Sequence, residues 1–179
     1  MNKHNVKIKV FKTAIELATG FASDFQNIVN ETKHRIHIAL SGGNTPALLF
    51  QKLASMPRRE NIAWRKVHFF WSDERCVPPD HPDSNYGMTK KYLLDQIPIS
   101  DENIHRILGE NNSRDEAKRY ASEIHQLLPV NQNDWPEFDW ILLGLGEDGH
   151  TASIFPGADV LEDRNNICAI AANPETGQI

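Results

Sequence analysis

A chain of 179 residues with 40% hydrophobic and 24% charged side chains has the size and make-up of one globular domain, not of a disordered or fibrous protein. A net charge of −5 and scattered Lys and Arg argue against a nucleic-acid surface, although amides and one or two Arg can still hold a small anion. No apolar run approaches the roughly 18 residues of a membrane span, MNKHNVKIKVF lacks a signal-peptide core, and Cys76 and Cys168 form no CxxC pair, which points to a reducing, cytoplasmic setting.

In chain order, VKIKVF (residues 6–11) alternates as an edge strand would. Thr13 and Glu16 have capping-box spacing ahead of Ile15, Ala18, Ala22, Phe25, Ile28 and Val29, which recur at helical intervals. RIHIAL (35–40) reads as a short buried strand that breaks at SGGN. Pro46 then opens a helix in PALLFQKLAS, proline being tolerated in a first turn. KVHFFW (66–71) is the next strand, followed by the long loop SDERCVPPDHPDSN. A helix is predicted over about residues 86–96, stopping before Pro98. Ser113 and Glu116 repeat the capping-box spacing ahead of Ala117, Tyr120, Ala121, Ile124, Leu127 and Leu128. WILLGL (140–145) and NICAIA (166–171) read as strands, and HTASIF between them as at most a short helix.

Helices alternating with near-continuous apolar strands predict an α/β fold with a largely parallel sheet. NPETG looks like a turn after ICAIA, yet only QI follows. A hairpin that has barely begun leaves its partner's backbone unpaired, so the chain is expected to stop inside its single domain.

Polar residues cluster where the strands end. IHIAL runs into Ser41, Gly42, Gly43, Asn44 and Thr45; VHFFW runs into Ser72, Asp73, Glu74 and Arg75; WILLGLG runs into Glu147, Asp148, Gly149 and His150. In open α/β sheets the ligand crevice lies beyond the carboxyl ends of the strands, so three parallel neighbours would bring these loops into one cleft. SGGNTP is built like an anion cradle, with glycines for close backbone approach, a helix start and two hydroxyls. The same residues also suit a plain tight turn with Thr45 as N-cap. Arg75 can grip an anion or stabilise an oxyanion, or can simply pair with its acidic neighbours. Ser84 and Asn85 can return to the cleft from the long loop. His150 is of the residue type that most often serves as a general base, and Asp148 can fix its tautomer. GxGxxG at Gly144, Gly146 and Gly149 is a weak dinucleotide signal, because Pro156 prevents a long following helix. The histidine spacing matches no zinc motif, and GxSxG is absent.

LSGGNTP, WSDERCVPPDHPDSNYGM and LGLGEDGHTASIFPG resemble, in order and spacing, three signature segments of 6-phosphogluconolactonases. These enzymes belong to the glucosamine-6-phosphate isomerase/6-phosphogluconolactonase superfamily, whose deaminases carry a DEY-type second motif and DGHIAFNEPG in the third. The resemblance implies a doubly wound, Rossmann-like sheet with helices on both faces. It implies hydrolysis of 6-phospho-D-glucono-1,5-lactone to 6-phosphogluconate, with no metal or organic cofactor. His150 would be the general base, Asp148 its orienting partner, Arg75 the charge stabiliser and Asp73 a neighbour in the cleft. Ser41, Gly42, Gly43, Asn44 and Thr45 would cradle the phosphate, with Asn85 beside them. A monomer or weak homodimer is expected. Members of the group usually run about 50–60 residues further, a domain-scale estimate, through an Arg-x-Thr strand and a later lysine that contribute to phosphate binding. The resemblance therefore implies a chain lacking its C-terminal part. An amino-sugar-phosphate deaminase and an inactive sugar-phosphate-binding protein are the alternative readings.

Overall fold

The computed structural model describes residues 6–179. Helix α1 spans Ala14–Glu31, and the Thr13 hydroxyl accepts from the Glu16 N–H at 3.1 Å. The Glu16 carboxylate reaches back to the N–H of Lys12, one residue beyond the usual reciprocal partner, so the predicted cap closes in a slightly wider form. Strand β1 (Ile36–Leu40), helix α2 (Asn44–Ala54) and strand β2 (Val67–Trp71) follow as predicted. Helix α3 (Asn85–Tyr92) is shorter than expected and gives way to a 3-10 turn at Leu94–Gln96.

Helix α4 (Ser113–Leu127) begins with a different cap from the predicted one. The Asn112 side chain accepts from the N–H groups of Arg114 and Asp115, and Ser113 is already helical. Glu116 turns inward instead, where it accepts from the Leu108 N–H at 2.8 Å and pairs with Arg119.

Strand β3 is Trp140–Ile141, and the three strands are parallel in the order β2-β1-β3. Ile36, Ile38 and Leu40 share a face with Val67, Phe69 and Trp71, and pack with Phe25 of α1 and Phe50 and Leu53 of α2. Ala39 and Phe70 point the other way, against Tyr120, Ile124 and Leu128 in and beyond α4. Helices thus cover both faces. Strand order reverses at β1, since β2 lies on one side of it and β3 on the other, and that reversal creates a crevice at the carboxyl edge.

Three predicted strands are corrected. Residues 6–11 form no ladder, and Val6, Ile8 and Val10 are 79–88% exposed. NICAIA is irregular, although Ile167 and Cys168 still pack on the Tyr120 cluster. WILLGL pairs only briefly: Leu142 donates to the Ala39 carbonyl at 2.8 Å before the chain turns away. Alternation along a segment tells which side chains are apolar, but a strand also needs a neighbouring backbone to bond; residues 6–11 and 166–171 join no ladder, and WILLGL leaves β1 after Leu142. HTASIF forms a turn closed between Thr151 and Ile154. Among the described residues no helix is long and apolar enough to cross a membrane.

Candidate active site

The three strand ends are tied to one another by two serine hydroxyls. Ser41 Oγ lies 2.9 Å from the Leu142 carbonyl and 3.0 Å from Ser72 Oγ, which lies 2.7 Å from the Leu40 carbonyl. The Ser72 N–H also donates to Leu40 at 2.7 Å. The loops after β1, β2 and β3 therefore start from one point, as the sequence predicted.

The loop after β2 is folded around an acid. Glu74 accepts hydrogen bonds from the N–H groups of Arg75, Asn85 and Tyr86, each at 2.8 Å, and from the Ser84 hydroxyl at 3.1 Å. Its neighbours point elsewhere. Asp73 accepts from the Ser153 hydroxyl at 2.6 Å, which joins the second loop to the third. The Arg75 guanidinium donates to the Asp83 carbonyl at 3.0 Å, leaving most of its donors uncommitted.

The loop after β3 is a compact turn that presents an imidazole. The Gly146 N–H donates to the His150 carbonyl at 2.8 Å, and Gly149 takes a φ of 89° that favours glycine. Asp148 accepts from His150 Nδ1 at 2.6 Å and from the His150 N–H at 3.2 Å. Because a carboxylate only accepts, Nδ1 carries the hydrogen, so in the neutral form of the ring the lone pair lies on Nε2. The same hydrogen bond holds the Asp148 pKa below its ordinary value. A Cβ on Gly146 would stand 2.3 Å from the His150 ring, so only glycine allows the imidazole to fold back here. Phe155 packs beside the ring at 5.0 Å between centroids.

Asp73, Arg75, His150 and Ser153 line one cavity of about 520 Å³, which extends beneath Tyr120 and Cys168. The loop 41–45 is not among its lining residues. Gly43, Asn44 and Thr45 are exposed at the start of α2, whose N-cap is Gly43 with φ 102° and no side-chain cap. Thr45 is thus inside the helix and not its N-cap. Ser41 and Asn85, both expected beside the phosphate, are 3% exposed and committed elsewhere. Ser41 joins the strand ends. The Asn85 amide donates to the Asp73 carbonyl at 3.0 Å, and its oxygen fills the space that a Cβ on Gly42 would need. Sequence reasoning missed Ser153 and the role of Glu74. Both stood inside the quoted motifs, but neither residue type reveals its partner, which for Ser153 is 80 residues away.

The glucosamine-6-phosphate isomerases/6-phosphogluconolactonase family matches this sequence over residues 12–178. The chain belongs to that family. It is 47% identical over 169 residues to a 6-phosphogluconolactonase of Haemophilus influenzae, spanning 94% of this chain and 70% of that protein. The crystal structure of devB protein superposes with a TM-score of 0.90 at 46% identity, over 95% of this chain and 70% of that one. A 6-phosphogluconolactonase from Trypanosoma brucei superposes with a TM-score of 0.82 at 33% identity, over 95% of this chain and 72% of that one. The α/β sheet described above is thus the fold of 6-phosphogluconolactonases.

Proposed function

We propose that this protein hydrolyses 6-phospho-D-glucono-1,5-lactone to 6-phosphogluconate in the oxidative pentose phosphate pathway, without a metal or organic cofactor. The observation that carries the mechanism is the Asp148–His150 pair at 2.6 Å on the rim of a cavity shared with Arg75 and Asp73. Asp148 holds the Nδ1 hydrogen, so Nε2 takes a proton from water as that water attacks the lactone carbonyl. A bond forms between the water oxygen and C1, and the carbonyl electrons move onto its oxygen, where the Arg75 guanidinium stabilises the charge. Collapse breaks the bond from C1 to the ring oxygen, and the imidazolium returns its proton to that oxygen. A lactone is an activated ester, so one base, one cation and a held water suffice.

The exposed Gly43, Asn44 and Thr45 at the uncapped start of α2 support a role in receiving the phosphate. In this reading Ser41, Gly42 and Asn85 shape the cradle from beneath. The remote phosphate fixes the carbonyl relative to His150, which is binding energy directed to orientation. A monomer or weak homodimer in the cytoplasm completes the proposal, and the free thiols of Cys76 and Cys168 support a reducing compartment.

A coupled assay of lactone loss tests the reaction, run beside spontaneous hydrolysis. Ammonia release from glucosamine 6-phosphate without faster lactone loss would replace it with the deaminase reading. Thermal stabilisation by 6-phosphogluconate without turnover would replace it with a binding protein.

A further inference from the structure

Asp73, Glu74 and Arg75 all line the cavity, and the middle residue is the best-satisfied carboxylate of the loop. One Glu74 oxygen accepts from the Arg75 and Asn85 N–H groups, and the other accepts from the Tyr86 N–H and the Ser84 hydroxyl. Four donors occupy the four lone-pair positions of an ionised carboxylate. Two of them, Asn85 and Tyr86, are first-turn N–H groups of α3 that have no partner within the helix. Glu74 thus closes the excursion between residues 75 and 84 onto a helix start.

Each functional neighbour then hangs from that closure. The Asn85 side chain holds the Asp73 carbonyl and packs against Gly42, linking the second loop to the first. Asp83, one residue before Ser84, supplies the carbonyl that anchors the Arg75 guanidinium. Burial raises the Glu74 pKa, and the hydrogen bonds from Tyr86, Asn85 and Arg75 oppose that rise. Glu74 is half-buried, and a carboxylate withdrawn from water is costly to keep unless its hydrogen bonds are made.

We infer that Glu74, although it borders the cavity, is a positioning residue for lactone hydrolysis: its acceptor positions are taken by the fold, and it sets how Asp73 and Arg75 enter the cleft and how loop 41–45 seats on Asn85. The inference rests on the lactonase reading above. Glu74→Gln keeps the shape but turns an NH2 toward donors, so part of the closure is lost. The test measures kcat and KM at a temperature where circular dichroism shows each variant folded. Glu74→Gln is expected to lower kcat by about 10–100-fold, the scale of an ångström-sized misplacement, with KM changed less than about threefold. Introduced into Arg75→Ala, the same change should cost less than about threefold, because residues acting through one another are non-additive. Losses that multiply in the double variant, or a loss confined to KM, would overturn the inference. Ser84→Ala removes one donor and spares the acid. It is expected to lower kcat by about two- to fivefold with the same dependence on Arg75, and it decides the matter if Glu74→Gln does not fold. A parent chain without lactone hydrolysis brings down the lactonase reading and this inference together, whereas an active parent with multiplying losses brings down this inference alone.

Discussion

One face of the sheet is closed by aliphatic and aromatic side chains under α1 and α2, whereas the other carries a row of histidines and carboxylates under α4. On the first face Ile36, Ile38, Val67 and Phe69 meet Phe25, Phe50 and Leu53, all at most 2% exposed. On the second, the His37 and His68 rings stand 5.5 Å apart, and His68 Nδ1 lies 3.0 Å from His105 Nε2. His105 Nδ1 continues to Glu123 at 2.9 Å, and Glu123 pairs with Arg119. Tyr120, on the same side, accepts from the Trp71 N–H at 2.8 Å and donates to its carbonyl at 3.1 Å, satisfying the last residue of β2 before the Ser72–Arg75 turn. The apolar face supplies burial free energy that is indifferent to detail. The polar face gives up some of that in return for bonds that fix where strand ends lie, and its helix borders the cavity.

The largest expected effect lies on the apolar face. Phe50→Ala should cost about 3–5 kcal/mol of stability by chemical denaturation, as a fully buried ring leaves a cavity; a loss near zero would mean that this face is not the main source of stability. His150→Ala makes the opposite contrast. Turnover should fall about 100–10,000-fold, while the melting temperature moves by no more than about 2 °C, since the ring is 37% exposed and bonded only to its own loop. Arg75→Ala should lower kcat by about 10–1,000-fold and loosen 6-phosphogluconate less, as read by calorimetry. An effect on binding alone would reassign Arg75 to holding the ligand.

The smallest effect distinguishes the two faces by pH. Burial, with neighbouring His105, lowers the His68 pKa from 6.5 to about 4, and burial also lowers that of His37 in spite of Asp139. Groups facing these rings include Arg35 and Glu102. A folded-state pKa below the unfolded value means that protons bind the unfolded chain more readily. The His68 contribution is therefore fully present above pH 6.5 and is lost as pH falls from there toward about 4. Denaturation midpoints should drop across that window in the parent and drop less in His68→Phe. Equal slopes in the two proteins would remove His68 from the acid response.

The local readings survived best. Thr13 caps α1, Pro46 sits in the first turn of α2, and Asp148 meets His150, because each involves partners within a few residues whose geometry is set by the backbone between them. That the three loops begin side by side was legible as well, since near-continuous apolar parallel strands order their own carboxyl ends, although loop 41–45 lies outside the cavity lined by Asp73, Arg75 and His150. What failed depended on remote partners. NICAIA and VKIKVF have strand-like composition and no ladder, and Asn112 displaced Ser113 as a cap.

Periodicity and turn chemistry in the sequence alone determined the α/β layering, the start of α1 and the histidine–aspartate pair, because these follow from interactions along a few turns of chain. Only the tertiary structure decided that Ser153 reaches Asp73, that Glu74 gathers the start of α3, and that His68 meets His105, since a hydrogen bond across the sheet depends on which distant segments are brought within about 3 Å.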